Sequence, residues 1–162
     1  MGDKRRFTVT ADLLAAYLPR GAKVLDVAGG RGYLSLALEE RGLRSTVIDP
    51  RVTGLAGKHR RAQRRGHLAK FHRLVRNFSE RELAGYDFAI GLHPDEATEP
   101  LARAAGVIPV AIIPCCNMWK GIESHACSEV SEMIRRTWQR MDIRWQEIRL
   151  PITGKNLLLM TR

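Results

Sequence analysis

Two features are missing from the sequence and a third is scarce, and each of these narrows the range of protein classes. There is no run of about 18 apolar residues, which a membrane-spanning helix needs, so we expect no membrane association. Residues 1–6 lack the long apolar segment of a secretory signal. The chain has only three cysteines, and in the cytoplasmic protein that these absences favour we expect no disulfides.

Acidic residues are also absent from one long stretch, residues 50–79, which we call the basic segment. The whole chain has 27 lysines and arginines against 17 aspartates and glutamates, a formal net charge of +10. The cations of the basic segment are Arg51, Lys58, Arg60, Arg61, Arg64, Arg65, Lys70, Arg73 and Arg76. This concentration of positive charge favours a polyanionic partner such as nucleic acid, although a solvated arginine-rich helix face would have the same composition.

What is present is a sustained alternation of strands and helices. The predicted strands span residues 23–27, 43–48, 71–78, 86–92, 107–113, 143–150 and 156–161, and the predicted helices span residues 12–18, 33–41, 58–69, 96–105 and 128–141. No internal linker, repeat or low-complexity segment interrupts this order. We therefore expect residues 1–162 to form a single α/β domain built on a parallel sheet.

The residues that carry chemistry follow the predicted strands, because ligands of a parallel sheet bind at the carboxyl ends of its strands. Asp26-Val-Ala-Gly-Gly-Arg-Gly32, here called the glycine loop, follows the first strand and has glycines where the backbone must turn sharply near a ligand. Asp49 ends the second strand, where its carboxylate can accept both hydroxyls of a ribose. This order predicts a nucleoside-binding site; the alternative is a plain glycine turn with a solvated aspartate.

The glycine spacing distinguishes two kinds of nucleoside cofactor. Asp26-x-Ala28-x-Gly30-x-Gly32 resembles the Asp-x-Gly-x-Gly-x-Gly loop of class I S-adenosylmethionine-dependent methyltransferases, with Ala28 where the first glycine usually stands. A dinucleotide fold would space its glycines as Gly-x-Gly-x-x-Gly, which residues 30–35 do not. The loop therefore favours S-adenosylmethionine as the cofactor.

Two later segments resemble one branch of that family. Residues 90–98 (Ile-Gly-Leu-His-Pro-Asp-Glu-Ala-Thr) and residues 113–117 (Ile-Pro-Cys-Cys-Asn) are similar to its Leu-His-x-Cys-Gly-x-x-Thr and Pro-Cys-Cys motifs. The branch includes relatives of the tRNA ribose 2′-O-methyltransferase with a Cys-Cys-His-His sequence. Residues 94–96 replace the usual Cys-Gly region, and residues 117–119 replace the His-His of the tRNA enzyme. An identical substrate and mechanism therefore do not follow.

The resemblance implies both a fold and a cofactor site. The fold is a Rossmann-like, doubly wound α/β sheet of seven strands, mostly parallel with an antiparallel last strand. The cofactor, S-adenosylmethionine, would be held by the glycine loop, the ribose-binding acid, an adenine-facing pair and residues beside the methyl donor. In that order these are Asp26, Ala28, Gly29, Gly30 and Gly32; Asp49; Asn77 and Phe78; and Gly91, Leu92 and His93.

Methyl transfer needs little beyond alignment of the acceptor, the methyl group and the sulfonium, because the cofactor carries the difficult chemistry. For a ribose hydroxyl, His93 or Asp95 can take the proton; for an exocyclic amine, Asn117 can orient the lone pair. His93 is equally well interpreted as a packed strand-end residue, and Asp95 or Glu96 as a cap of the following helix. The sequence leaves these roles open.

Cys115, Cys116 and Trp119 are candidates for contacts with the substrate. A buried structural role for the two cysteines carries more weight, because free cysteine packs as a small apolar residue. A metal site that includes His93 or His125 lacks the close ligand spacing that such sites show, so we expect no metal. Trp119 can stack on a base or pack beneath the last helix.

The expected function is methyl transfer from S-adenosylmethionine to RNA, on a ribose hydroxyl or a base. The basic segment favours RNA as the partner, with Arg60, Arg61, Arg64 and Arg65 as expected contacts. A chain this short would recognise RNA through its catalytic core, a homodimer or an accessory protein. The alternatives are a small-molecule or protein methyltransferase, and a non-catalytic nucleotide-binding module that has kept the fold.

Overall fold

The computed structural model describes residues 3–115, 119 and 127–162. In those residues the strands are β1 (Lys23–Val27), β2 (Arg44–Ile48), β3 (His72–Leu74), β4 (Phe88–Leu92), β5 (Val110–Ile113), β6 (Trp145–Arg149) and β7 (Leu157–Thr161). The α-helices are α1 (Arg6–Tyr17), α2 (Tyr33–Glu39), α3 (Gly57–Arg64), α4 (Thr98–Arg103) and α5 (Cys127–Arg140), and short 3-10 helical turns lie at Glu80–Leu83, Asp95–Ala97 and Ala104–Gly106. None of the helices in these ranges combines the length and apolar character that crossing a bilayer requires.

The strands form one seven-stranded sheet in the order β3-β2-β1-β4-β5-β7-β6. β1 pairs in parallel with β2 and β4, the outer strands β3 and β5 continue the parallel pairing, and β7 is antiparallel to β5 and β6. The predicted doubly wound α/β fold with an antiparallel last strand is therefore confirmed. Because the direction of winding reverses between β1 and β4, the carboxyl ends of the strands on either side frame a crevice.

Helices cover both faces of the sheet because neighbouring residues of a buried strand point to opposite sides. Val24 of β1 packs in one apolar cluster with residues of α1 and α2, including Leu14. Leu25 packs in a second cluster with residues of α4 and α5, including Trp138, whose indole N–H donates to the Ala102 carbonyl at 2.8 Å. The two clusters fix the points from which the strand-end loops leave the sheet.

Three elements differ most from their predicted bounds: α1 begins at Arg6, six residues earlier than predicted, and the other two elements lie in the basic segment. β3 is three residues long, although a strand was predicted for residues 71–78, because this edge strand pairs only with β2 and the register joins residues 72–74 to residues 46–48. α3 ends at Arg64, earlier than predicted, because Gly66 adopts a left-handed conformation with a φ of 76°. Both shortened elements leave longer loops beside the crevice.

Candidate functional site

A cavity of about 340 Å³ opens at the carboxyl ends of the strands that flank the crevice. We call it the strand-end cavity, because its lining residues end or follow β1, β2, β3 and β4. They are Ala28, Ile48, Asp49, Pro50, Arg51, Asn77, Phe78, Pro94, Asp95, Glu96 and Ala97. Four predicted cofactor-binding residues, Ala28, Asp49, Asn77 and Phe78, are among them, together with one predicted base, Asp95. The fold thus brings together side chains from four separate loops.

Asp49 lies buried at the end of β2 with both of its carboxylate oxygens engaged. Oδ2 accepts the Gly30 N–H at 2.9 Å and Nη2 of Arg51 at 3.1 Å. Oδ1 accepts the backbone N–H of Arg51 at 2.9 Å and its Nε at 3.1 Å. Burial alone would raise the pKa of Asp49, but the hydrogen bonds from Arg51 and Gly30 lower it below its ordinary value. Asp49 is therefore an ionised acceptor that joins β2 to the glycine loop.

The glycine loop uses backbone conformations and close contacts that larger residues do not fit. Ala28 adopts a left-handed φ of 54°, a conformation that favours the glycine usual at this position in the resembled family. A Cβ on Gly29 would lie 2.5 Å from Asp26 Oδ2, and one on Gly32 would lie 2.3 Å from Cζ of Phe71. Gly29 and Gly32 therefore allow the loop to pack against a buried carboxyl group and an aromatic ring.

Asp26 lies beneath the glycine loop and is not among the residues that line the strand-end cavity. It is 1% exposed. Its Oδ2 accepts the Ser35 hydroxyl at 2.9 Å, and Ser35 Oγ in turn accepts the Ser45 hydroxyl at 2.8 Å. Burial raises the pKa of Asp26 to about 7, an effect that the Ser35 hydrogen bond only partly offsets. This geometry gives Asp26 a role in shaping the glycine loop, and its contact with a cofactor stays a prediction.

The residues predicted to lie beside the methyl donor, Gly91, Leu92 and His93, are at the end of β4 and are not among those that line the strand-end cavity. A Cβ on Gly91 would lie 2.7 Å from Leu101 Cδ2, so this glycine lets α4 pack on the sheet. His93 has a left-handed φ of 57°, and its Nδ1 lies 3.3 Å from the Pro114 carbonyl oxygen. Burial lowers the pKa of His93. These contacts fit the interpretation of His93 as a packed strand-end residue, and its role as a general base stays a prediction.

Asp95 and Cys115 meet across the ends of β4 and β5. The Cys115 thiol donates to Asp95 Oδ1 at 3.2 Å. Burial raises the pKa of Cys115 to about 12, so the sulfur is protonated at neutral pH and is a poor nucleophile. Asp95 and Glu96 lie in the first turn of the 3-10 helix at Asp95–Ala97, as the capping interpretation expects, but neither this turn nor α4 has a side-chain cap hydrogen bond. Asp95 instead lines the cavity and is held there by the thiol.

Other predicted contacts lie away from the strand-end cavity or outside the described residues. Trp119 packs against the apolar cluster under α5 and shares a cavity with Met133, in agreement with its interpretation as a residue packed beneath the last helix. Cys116, Asn117 and His125 lie outside the described residues, so their roles stay predictions. Within the described ranges, no group of three or more His, Cys, Asp or Glu side chains is placed to hold a metal ion.

A second and larger cavity, of about 640 Å³, lies between α3 and β3. We call it the basic cavity. Its lining residues are Gly54, Leu55, Arg60, Gln63, Arg64, Lys70, Phe71 and Arg73. Of the four arginines predicted to contact RNA, Arg60 and Arg64 line this cavity, whereas Arg61 and Arg65 are exposed outside it. The predicted contacts of the basic segment are therefore divided between a cavity and an open helix face.

Two arginines that the sequence did not single out as site residues shape these cavities. Arg51 supplies three of the four hydrogen bonds to Asp49. Arg73 has both terminal guanidinium nitrogens buried without a hydrogen-bond partner among the described residues. The sequence did offer a reason to select Arg51, because it lies two residues after the strand-end acid Asp49. The sequence offered no reason to select Arg73, because the alternation of residues 71–78 does not show which helix covers that strand.

No protein-family model matches the chain, and no curated protein matches it by sequence. Solved structures do resemble it. The magnesium protoporphyrin IX methyltransferase of Synechocystis, with S-adenosylmethionine bound, superposes with a TM-score of 0.62 over 95% of this chain and 77% of its own, at 18% identity. For the ribosomal protein L11 methylase of Lactobacillus delbrueckii the TM-score is 0.64 over 100% and 81%, at 12% identity. For a tRNA methyltransferase of B. subtilis it is 0.56 over 93% and 63%, at 18% identity.

These neighbours are named for different acceptors, a porphyrin, a ribosomal protein and a tRNA, so the shared architecture does not single out one acceptor class. What they share with this chain is the fold, and in this chain the fold places a crevice at the switch point of the seven-stranded sheet. The chain has the Rossmann-like fold of class I S-adenosylmethionine-dependent methyltransferases.

Proposed function

We propose that this protein transfers a methyl group from S-adenosylmethionine to RNA. The observation that carries the proposal is the strand-end cavity, in which a buried and ionised Asp49 lies beside the glycine loop of a methyltransferase fold. RNA is supported as the acceptor by the similarity of residues 90–98 and 113–117 to the branch that includes a tRNA ribose methyltransferase. The charge of the basic segment supports it independently.

The strand-end cavity fits S-adenosylmethionine in both size and chemistry. Its volume of about 340 Å³ lies within the range of about 300–1,000 Å³ that is typical of small-molecule sites. Asp49 would accept the ribose hydroxyls, and Asn77 and Phe78 would contact the edge and face of the adenine. The Arg51 side chain is 60% exposed, so it can leave the carboxylate when ribose hydroxyls replace it, while the Gly30 N–H bond stays in place.

When bound, the cofactor would supply the activated methyl group, and the protein would orient the acceptor and accept its proton. Of the two predicted bases, Asp95 lines the strand-end cavity, whereas His93 is packed near Pro114. Asp95 is therefore the better candidate to accept the proton of a ribose hydroxyl. Asn117 remains a predicted group for orienting an amine.

Calorimetry with S-adenosylhomocysteine tests the cofactor site. We expect the wild type to bind and Asp49→Asn to bind at least about 10-fold more weakly, because hydrogen bonds to a charged acceptor are lost. Asp12→Asn is the matched control: Asp12 is an exposed carboxylate on α1, and this variant should bind as the wild type does. Undiminished binding by a folded Asp49→Asn, or no binding by the wild type at millimolar ligand, would contradict the proposed site.

Transfer of a labelled methyl group identifies the acceptor. The wild type, incubated with labelled cofactor and separate pools of RNA, protein and small metabolites, should label RNA, and Asp49→Asn should not. Label in the protein or metabolite pool would redirect the proposal to those acceptor classes. Cofactor binding without transfer to any pool would favour a non-catalytic nucleotide-binding module.

A further inference from the structure

The basic cavity is charged by residues on two opposing elements. Arg60 and Arg64 lie one turn apart on α3, while Arg73 is on β3 and Lys70 precedes it. None of the eight residues that line the cavity is acidic. We propose that this cavity binds backbone phosphate groups of the RNA acceptor. The identity of that ligand rests on the proposed function, but the cavity is separate from the strand-end cavity and can be tested separately.

Arg73 gives the strongest reason to expect an anion. Its Nη1 and Nη2 atoms are buried and have no hydrogen-bond partner in the part of the chain that the structure describes. Burial lowers the pKa of Arg73, and attraction to Asp49 and Asp26 only partly offsets this. A buried guanidinium without a partner is unfavourable, whereas its hydrogen bonds to phosphate oxygens are among the strongest that arginine makes. An anion in the cavity would supply the missing partner when the guanidinium turns toward it.

Arg60 and Arg64 also lack a counter-charge. Their spacing places both guanidinium groups on one face of α3, where like charges repel. Neither forms an ion pair with any residue that the structure describes. Gln63 fixes the helix to the segment that leads into β3, because its Nε2 donates to the Ala69 carbonyl at 2.6 Å. The cations are thus held on opposite walls of a cavity that is already formed.

The basic cavity and the strand-end cavity both border the glycine loop. Phe71, which lines the basic cavity, packs so closely that a Cβ on Gly32 would lie 2.3 Å from its Cζ. The Thr53 hydroxyl donates to the Gly30 carbonyl at 3.0 Å, and the next residue, Gly54, lines the basic cavity. A strand of RNA with a phosphate between α3 and β3 would therefore have its neighbouring nucleotides beside the cofactor site.

A polymer fits this surface better than a single phosphate ion does. Lys58, Arg61 and Arg65 are exposed on and next to α3, outside the cavity, and continue the positive surface along the helix. RNA carries a phosphate at every nucleotide, so the cavity and the adjoining helix face can contact it together. Several cations in one region that each contact a phosphate would make the affinity strongly dependent on salt.

The test compares two double variants that remove the same charge at opposite edges of the sheet. Arg60→Ala/Arg64→Ala removes two cations of the basic cavity, and Arg144→Ala/Arg149→Ala removes two exposed arginines at β6 as the matched control. Binding of a short labelled RNA is measured over a series of salt concentrations. The slope of log Kd against log salt should fall by roughly 1.4–1.8 for the first pair, because each lost phosphate contact accounts for about 0.7–0.9. The control should keep the wild-type slope.

An equal fall in both double variants would overturn the proposal, because binding would then follow net charge alone. A wild-type affinity that does not change with salt would also overturn it. Competition by polyglutamate as effective as by unlabelled RNA would assign the cavity to an acidic protein instead.

Calorimetry with S-adenosylhomocysteine on the same samples separates this proposal from the proposed function. It also shows whether each variant is folded. Suppose that the wild type binds RNA, that Arg60→Ala/Arg64→Ala shows the predicted fall in salt slope, and that the wild type does not bind the cofactor. The proposal of methyl transfer would then be wrong, and the phosphate site would stand. If the cofactor binds but the salt slope of RNA binding is unchanged in Arg60→Ala/Arg64→Ala, only the proposed phosphate site would be wrong.

Discussion

The two edges of the sheet differ in whether their arginines form ion pairs. At the β6 edge, Arg135 of α5 donates to Glu147 of β6 at 2.6 and 3.2 Å, and Arg136 pairs with Glu132 at 3.0 Å. At the β3 edge, the four cations of the basic cavity form no ion pair within the described ranges. Arg135 and Arg136 are thus neutralised by neighbouring carboxylates at the first edge, whereas the four cations of the basic cavity keep their charge available for a ligand.

The contrast continues inward from the edges. In the half of the sheet formed by β1, β2 and β3, burial raises the pKa of Asp26 and lowers the pKa of Arg73. In the half formed by β5, β6 and β7, the hydrogen bonds between Arg135 and Glu147 shift both pKa values in the direction that favours the charged forms. Burial also disfavours the charged form of Cys115, which follows β5 and contacts Asp95 of the strand-end cavity. The groups whose charged form is disfavoured by burial therefore lie around the glycine loop and the two cavities, which is the pattern expected of a functional site.

The largest expected effect is on the pH dependence of stability in the β3 half. Because the pKa of Asp26 is raised from 3.8 to about 7, the folded protein keeps a proton there that the unfolded chain releases at lower pH. The contribution of Asp26 to the free energy of unfolding therefore falls as pH rises through this window, by at most about 4 kcal/mol. Urea unfolding from about pH 5 to pH 8 should show this fall in the wild type and not in Asp26→Asn.

Asp12→Asn serves as the control for that experiment. The pKa of Asp12 is lowered by its hydrogen bond with Arg41, so removing this exposed acid should leave the fall in place. If the free energy of unfolding of the wild type does not fall with pH relative to that of Asp26→Asn, Asp26 is ionised in the folded protein. The β3 half would then lose one of its two unfavourably buried groups.

The next largest effect concerns a pair of glycines, one in each half. Gly32 and Gly154 have the same φ of 82°, but a Cβ on Gly32 would collide with the Phe71 ring, while nothing lies within 4 Å of one on Gly154. Gly154→Ala should lower the free energy of unfolding by about 1 kcal/mol, the cost of a left-handed alanine. Gly32→Ala should lower it by about 3 kcal/mol, because overpacking is added to that cost. Equal losses in urea unfolding would show that Phe71 moves aside freely.

Much of the strand-end cavity could be predicted, because it follows from topology. Asp49, Asn77 and Phe78 directly follow parallel strands or the loop after one, and the carboxyl ends of such strands meet at one edge. The hydrogen-bond partners of Asp26 and His93 could not be predicted, since they come from elements distant in sequence, Ser35 of α2 and the carbonyl after β5. Sequence spacing predicts where a strand ends but not which residues contact its side chains.

The basic segment was the harder part to predict. α3 has no buried residue, so no apolar stripe indicates which of its faces turns toward the sheet. Arg60 and Arg64 therefore could not be distinguished from Arg61 and Arg65 until the helix was placed over β3. The unpaired guanidinium of Arg73 could not be predicted either, because the sequence does not show which element covers β3.

The smallest expected effects come from removing one arginine in each half, and they differ in sign. Arg73→Met keeps a long unbranched side chain and removes a buried guanidinium without a partner, so the free energy of unfolding should rise by about 1 kcal/mol. Arg135→Met breaks a partly exposed pair with Glu147, so it should fall by roughly 0.5 kcal/mol. Both are measured by urea unfolding at low salt in a buffer without phosphate, where no anion occupies the basic cavity.

Inorganic phosphate then sharpens this last comparison, because a ligand that binds only the folded state raises stability in proportion to its occupancy. The wild type and Arg135→Met should gain stability equally as phosphate is added, and Arg73→Met should gain less. If Arg73→Met instead loses stability without phosphate, as Arg135→Met is expected to do, Arg73 has a partner in solution. Arg73 would then be paired as Arg135 is, and the contrast between the two halves would fail at Arg73, the residue on which it most depends.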